Sequence, residues 1–113
     1  MADYIDWMGR SGRLYRYWFV AVATATGIKA DAGNYAFVKQ LANGNFVPLY
    51  FGQAVLLNAR LPNHERWAEA VRLGATHMMG HTTPGGESVR CAEEQELIGY
   101  WDPPLNTQHR SAM

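Results

Sequence analysis

The stretch from Asn45 to His64, NFVPLYFGQAVLLNARLPNH, restricts this chain most, because it passes from a strand to a helix with no room for a long loop. Phe46 to Phe51 is bulky and apolar, as a strand requires. Ahead of it, Tyr35 to Leu41 alternates, with Tyr35, Phe37 and Lys39 on one side and Ala36, Val38 and Gln40 on the other. The link ANGN contains Asn43 and Gly44, the strongest short hairpin signal in the chain, so the two strands should pair antiparallel. Pro48 lacks a backbone donor and belongs at an unpaired or irregular position of the second strand. Downstream, Leu56, Leu57, Arg60 and Leu61 fall at helical spacings, which predicts a helix over Gln53 to Leu61 with its leucines on the sheet. Pro62 interrupts that helix, or starts a new segment capped by Asn63.

The flanking sequence supplies further elements. Glu65 to Leu73 reads as a helix with Trp67, Ala70, Val71 and Leu73 available for packing, and Gly74 is its stop signal. Ala75 to Thr83 suits a third core strand. Pro84, Gly85 and Gly86 form a turn before a last helix, Glu87 to Trp101, which the Asp102-Pro103-Pro104 step ends. Towards the N-terminus, Arg13 to Ala23 favours a strand with Tyr15, Tyr17, Phe19 and Ala21 on one face and Leu14 out of phase. Packing is the expected role of those rings, ahead of a base-stacking platform. Met1 to Gly12 reads as a short flap and turn, Thr24 to Asn34 as a loop, and Leu105 to Met113 as a tail.

Ten basic and ten acidic residues cancel, so contact with nucleic acid would need a local positive patch and not a global field. At 113 residues the chain has room for one modest core, and 48% apolar content argues against general disorder. A single cysteine, Cys91, excludes an internal disulfide and a cysteine-rich zinc site. With no signal-like N-terminus and no long apolar run, the expectation is a cytoplasmic protein without membrane contact.

Certain residues stand out by phase. Tyr50 at the strand end, Arg60 in the following helix and His64 one turn later bring a phenol, a guanidinium and an imidazole within reach of one junction. Such a set suits work on a phosphate group. In the last helix Glu94 is in phase with Cys91, Ile98 and Trp101, while Glu93 and Glu96 can face water. A carboxylate on a packed face is costly unless a cation meets it, so Glu94 either edges the apolar stripe or faces a shared cleft. His77 and His81 read as structural, with no carboxylate nearby to complete a metal site. Ser11 and Ser88 lack a nucleophile context.

Taken together, these parts resemble the GIY-YIG nuclease domain. The first signature stands here as GNY, Gly33 to Tyr35, and the second as YFG, Tyr50 to Gly52. Arg60 follows at the family spacing, His64 matches a histidine of restriction-type members, and EQELIGYWDPPLN is similar to the final motif through Glu94 and Asn106. The departures are Asn34 and Phe51 inside the signatures, a longer Tyr35-to-Tyr50 gap, and Gln53 where some members carry a lysine. The resemblance covers Gly33 to Asn106, roughly two thirds of the chain, leaving residues 1–32 as an extension and 107–113 as a tail.

The resemblance implies an α/β (α+β) fold with a small, largely antiparallel three-stranded sheet flanked by helices, to which the N-terminal extension can add an edge strand. It implies metal-dependent hydrolysis of DNA phosphodiesters. Tyr35 would then be the general base, Tyr50 would position the phosphate or share a proton relay, and His64 would accept a proton from a tyrosine. Arg60 would stabilise charge on the phosphoryl oxygens, Glu94 would hold one Mg²⁺ or Mn²⁺, and Asn106 would brace the cleft, with Gly33 and Gly52 in support. A homodimer or a recruiting protein could supply specificity. The alternative is a non-catalytic nucleic-acid or protein-binding module on the same fold.

Overall fold

The structure is a computed structural model that describes residues 3–20, 31–61 and 64–106. Five strands form one sheet in the order β1-β2-β5-β3-β4, with every pairing antiparallel. They are β1 (Tyr4–Met8), β2 (Leu14–Val20), β3 (Gly33–Gln40), β4 (Phe46–Ala54) and β5 (His77–Thr82). The helices are α1 (Leu57–Arg60), α2 (Arg66–Arg72) and α3 (Glu87–Trp101). This corrects the expected three-stranded sheet flanked by helices: the sheet has five strands, curls into a half-barrel and carries few helices. The reason lies in the N-terminal segment, which supplies two strands. Met1 to Gly12 holds β1 rather than a flap, and β2 pairs inward with β5 through Trp18 and Gly80.

The hairpin forms as its turn residues predict, with Leu41 N–H bonded to Asn45 O and Gly44 N–H to Leu41 O. Its register shifts between Phe37 and Val38, so that Phe37 faces Tyr50 and Val38 faces Pro48. That irregularity absorbs the donor Pro48 lacks, and β4 is an edge strand. β3, the central strand of this half, is buried on both faces from Gly33 to Val38.

Each face of the sheet has its own core. Under α3 lie Trp7, Tyr15, Tyr17, Ala36, Val38, Phe51, Met79 and Leu97. Under α1 and α2 lie Tyr35, Phe37, Ala54, Leu57, Leu61, Ala70, Met78 and Leu105. In β2 the phase is as expected, with Tyr15 and Tyr17 buried and Leu14 56% exposed.

Other boundaries differ. β4 continues to Ala54, which leaves α1 one turn from Leu57 to Arg60 instead of a helix from Gln53. In α2 only Ala70 is buried, and Val71 and Leu73 are exposed. The readings at Ala21 to Ala30, Pro62, Asn63 and 107–113 lie outside the described residues. Among the described residues no helix is long and apolar enough to cross a membrane.

Candidate functional site

Three rings meet on the face covered by α1 and α2. Tyr35 in β3 and Tyr50 in β4 are one register step apart on the same side, since Tyr35 faces Gly52 and Phe37 faces Tyr50. A Cβ at Gly52 would stand 2.5 Å from the Tyr35 Cζ and Oη, so glycine is what lets the phenol cross β4. Gly33 has the same need, because a side chain there would run into the His81 carbonyl and Leu57. His64, between α1 and α2, lies with its ring centroid 5.2 Å from Tyr35 and 5.4 Å from Tyr50.

The His64 ring settles its own tautomer. Arg66 N–H donates to His64 Nδ1 at 3.0 Å, so in neutral imidazole the proton sits on Nε2. That Nε2–H therefore donates to Tyr35 Oη, 2.5 Å away. Burial, and then the Arg60 cation, lower the His64 pKa to about 4, which keeps the ring neutral near pH 7. In the free chain His64 is thus a donor to Tyr35.

Arg60 lies beside the Tyr35 phenol and favours its ionised form. Burial dominates, however, and together with the neighbouring Tyr50 raises the Tyr35 pKa far above the usual phenol range. Tyr50 is also raised, mainly by burial, while a hydrogen bond from Tyr35 acts the other way. Both are neutral phenols in the free chain. Arg60 is also held by Glu65 in a two-pronged ion pair of 2.8 and 2.9 Å.

Glu94 comes from α3 to the same region. It acts electrostatically on both Tyr35 and Tyr50. Burial raises its pKa, and no hydrogen bond or ion pair holds it among the described residues. Asn106 braces the open edge of β4: its Oδ1 accepts from Phe51 N–H at 2.8 Å and its Nδ2 donates to Phe51 O at 2.9 Å. The end of β4 also borders a groove of about 410 Å³ lined by Gln53, Ala54, Val55, Leu56, Ala59 and Arg60.

The neighbouring Glu93 departs from expectation. The buried line of α3 runs through Arg90, Glu93 and Leu97, one residue earlier than the Cys91-Glu94-Ile98 phase. Glu93, only 5% exposed, accepts from Tyr17 Oη at 2.8 Å and lies 3.2 Å from His81 Nε2. It is therefore the carboxylate beside His81 that the sequence does not reveal. Glu96 stays partly exposed and accepts from Ser11 N and Oγ and from Tyr15 Oη. Sequence phase also passes over Arg90, which is 6% exposed and reaches Gln53.

No protein-family model, no curated protein and no solved structure matches this chain.

Proposed function

We propose that the chain is a divalent-metal-dependent endonuclease of the GIY-YIG type that hydrolyses phosphodiester bonds in DNA. The observation that carries this reading is the meeting of Tyr35, Tyr50, His64 and Arg60 within electrostatic reach of a half-buried Glu94 that has no partner among the described residues. An uncompensated carboxylate beside two phenols is costly in a purely structural role, and it suits a cation.

Among the described residues no three metal-ligating side chains cluster. The donor chemistry nevertheless fits Mg²⁺ or Mn²⁺, hard ions that take a single carboxylate and fill their other positions with water and phosphate oxygens. Glu94 is the residue that would hold it. Such an ion, when bound, neutralises charge on the phosphate and eases ionisation of groups beside it.

The chain's own residues then divide the work. Tyr50, less buried than Tyr35, is the phenol that can meet an attacking water. Tyr35 backs it: its oxygen receives the His64 Nε2–H and the Arg60 charge, and its own O–H favours the Tyr50 phenolate. Tyr50 first gives its proton to solvent and then takes one from the attacking water as the new P–O bond forms, while the P–O bond to the leaving oxygen breaks with its electron pair on that oxygen, which takes a proton from solvent. Arg60 meets the phosphoryl oxygens after exchanging Glu65 for the substrate.

A non-catalytic binding module is favoured by one specific observation, the Arg60–Glu65 pair that occupies the guanidinium. A cleavage assay with Mg²⁺ or Mn²⁺ on branched, single-stranded and duplex DNA separates the readings. The nuclease reading expects cleavage that Glu94→Ala and Arg60→Ala both abolish; activity indifferent to both substitutions sinks it.

A further inference from the structure

Arg90 is a charge without a counter-charge. Its side chain sits on the buried line of α3, 6% exposed, and among the described residues no carboxylate lies in ion-pair contact with it. Its one side-chain hydrogen bond runs from Nε to Gln53 Oε1 at 2.9 Å. The two terminal nitrogens have no partner among the described residues, yet neither is sealed from solvent. A buried guanidinium in that state costs stability, and chains ordinarily pair it or expel it.

The expected pair is present in the sequence and does not form. Glu94 stands four residues after Arg90 on the same helix, the spacing at which opposite charges usually meet. No ion pair joins them, and burial is the one influence on the Glu94 carboxyl. Two opposite charges one turn apart are both left open, which is the arrangement of a site that waits for a bridging ligand.

The placement says where that ligand lies. Gln53, which steadies Arg90 Nε, lines the groove at the end of edge strand β4 together with Arg60. Arg60 approaches β4 from the α1 side and Arg90 from the α3 side. Guanidinium nitrogens match phosphate oxygens in a planar, two-pronged fashion, and a phosphodiester backbone offers such oxygens in succession.

We propose that Arg90 is a second phosphate-binding group, which holds the phosphodiester backbone of the substrate strand beside Gln53 while Arg60 holds it from the other side of β4. The proposal rests on the nucleic-acid reading of the site and adds to it a residue that grips the strand.

The test is binding of the oligonucleotide dT4 to the full chain without metal, so that no cleavage intervenes, over a series of salt concentrations. Arg90→Met keeps the side-chain stem and removes the charge. It should weaken binding about tenfold or more, lower the slope of log affinity against log salt by roughly 0.7, the share of one single-strand phosphate contact, and leave the melting temperature unchanged or raised. Arg90→Lys keeps the charge and loses the Nε bond to Gln53, and should retain most of the salt slope. Binding by the wild type that Arg90→Met leaves unaltered overturns the proposal alone. Equal loss of slope in Arg90→Lys and Arg90→Met, with a lowered melting temperature in both, shows a structural clamp on Gln53 and also overturns it. No binding of dT4 by the wild type overturns the nucleic-acid reading together with this inference.

Discussion

The two faces of the sheet use the same three kinds of side chain to opposite ends. Under α3, Tyr17 and His81 close on Glu93: the phenol donates to the carboxylate and the imidazole Nε2 lies against it, while among the described residues the buried His81 Nδ1 has no partner. Towards α1 and α2, Tyr35, His64 and Glu94 do not close. There the phenol and imidazole bond to each other, and the carboxylate has no partner among the described residues. Glu93 and Glu94 are adjacent in sequence, and one step of rotation along α3 separates them. A tyrosine, a histidine and a glutamate together therefore say little. What marks a site is the charged group that its neighbours leave unsatisfied.

The largest expected effect tests that contrast directly. Glu94→Ala should reduce metal-dependent DNA cleavage by roughly a thousandfold, the worth of the several kcal/mol a metal supplies, without lowering stability. Glu93→Ala should instead cost about 3–5 kcal/mol in denaturant unfolding, because it strips a buried network of its charge. Equal losses of stability in the two variants would collapse the distinction between the faces.

The phenols give a second contrast. Tyr35→Phe should slow turnover by about a hundredfold, since Tyr50 loses the donor behind it. Tyr17→Phe should leave turnover unchanged and cost about 1–3 kcal/mol, from the bond that Glu93 no longer receives.

Acid titration sharpens the picture of His64. Its pKa falls from 6.5 when unfolded to about 4 when folded, so the unfolded chain takes the proton first as pH drops. The stability this group contributes is complete above about pH 6.5 and is lost as pH falls towards 4. Urea midpoints measured across that window should decline in the wild type more steeply than in His64→Asn.

The smallest effect concerns Glu65, which is exposed and bound to Arg60. Glu65→Gln should leave the thermal midpoint where it is, as for most surface pairs, while modestly strengthening DNA binding by releasing Arg60. Weaker binding in that variant would show that Glu65 orients Arg60 for its ligand and does not compete with it.

Much of the local structure was legible in the residues. Asn43 and Gly44 declared the hairpin, Leu14 and Tyr15 declared the phase of β2, and Glu87 to Trp101 declared α3 to its ends. The site was legible in part, because Tyr50, Arg60 and His64 are close in the chain and one junction brings them near. The direction of the bond between His64 and Tyr35 was not, since it depends on an Arg66 N–H that only the turn into α2 aims at Nδ1.

The sequence by itself determined the short-range features: alternation, turn chemistry and the bounds of α3, all governed by neighbours a few residues away. Only the tertiary structure decided that β2 would dock on β5 to make five strands, because pairing between segments some sixty residues apart leaves no local pattern. It also decided which glutamate of the Glu93-Glu94 pair would be satisfied. Periodicity places a side chain on a face of a helix to within a residue, and here one residue separates a carboxylate held by Tyr17 and His81 from one left open beside Tyr35 and Tyr50.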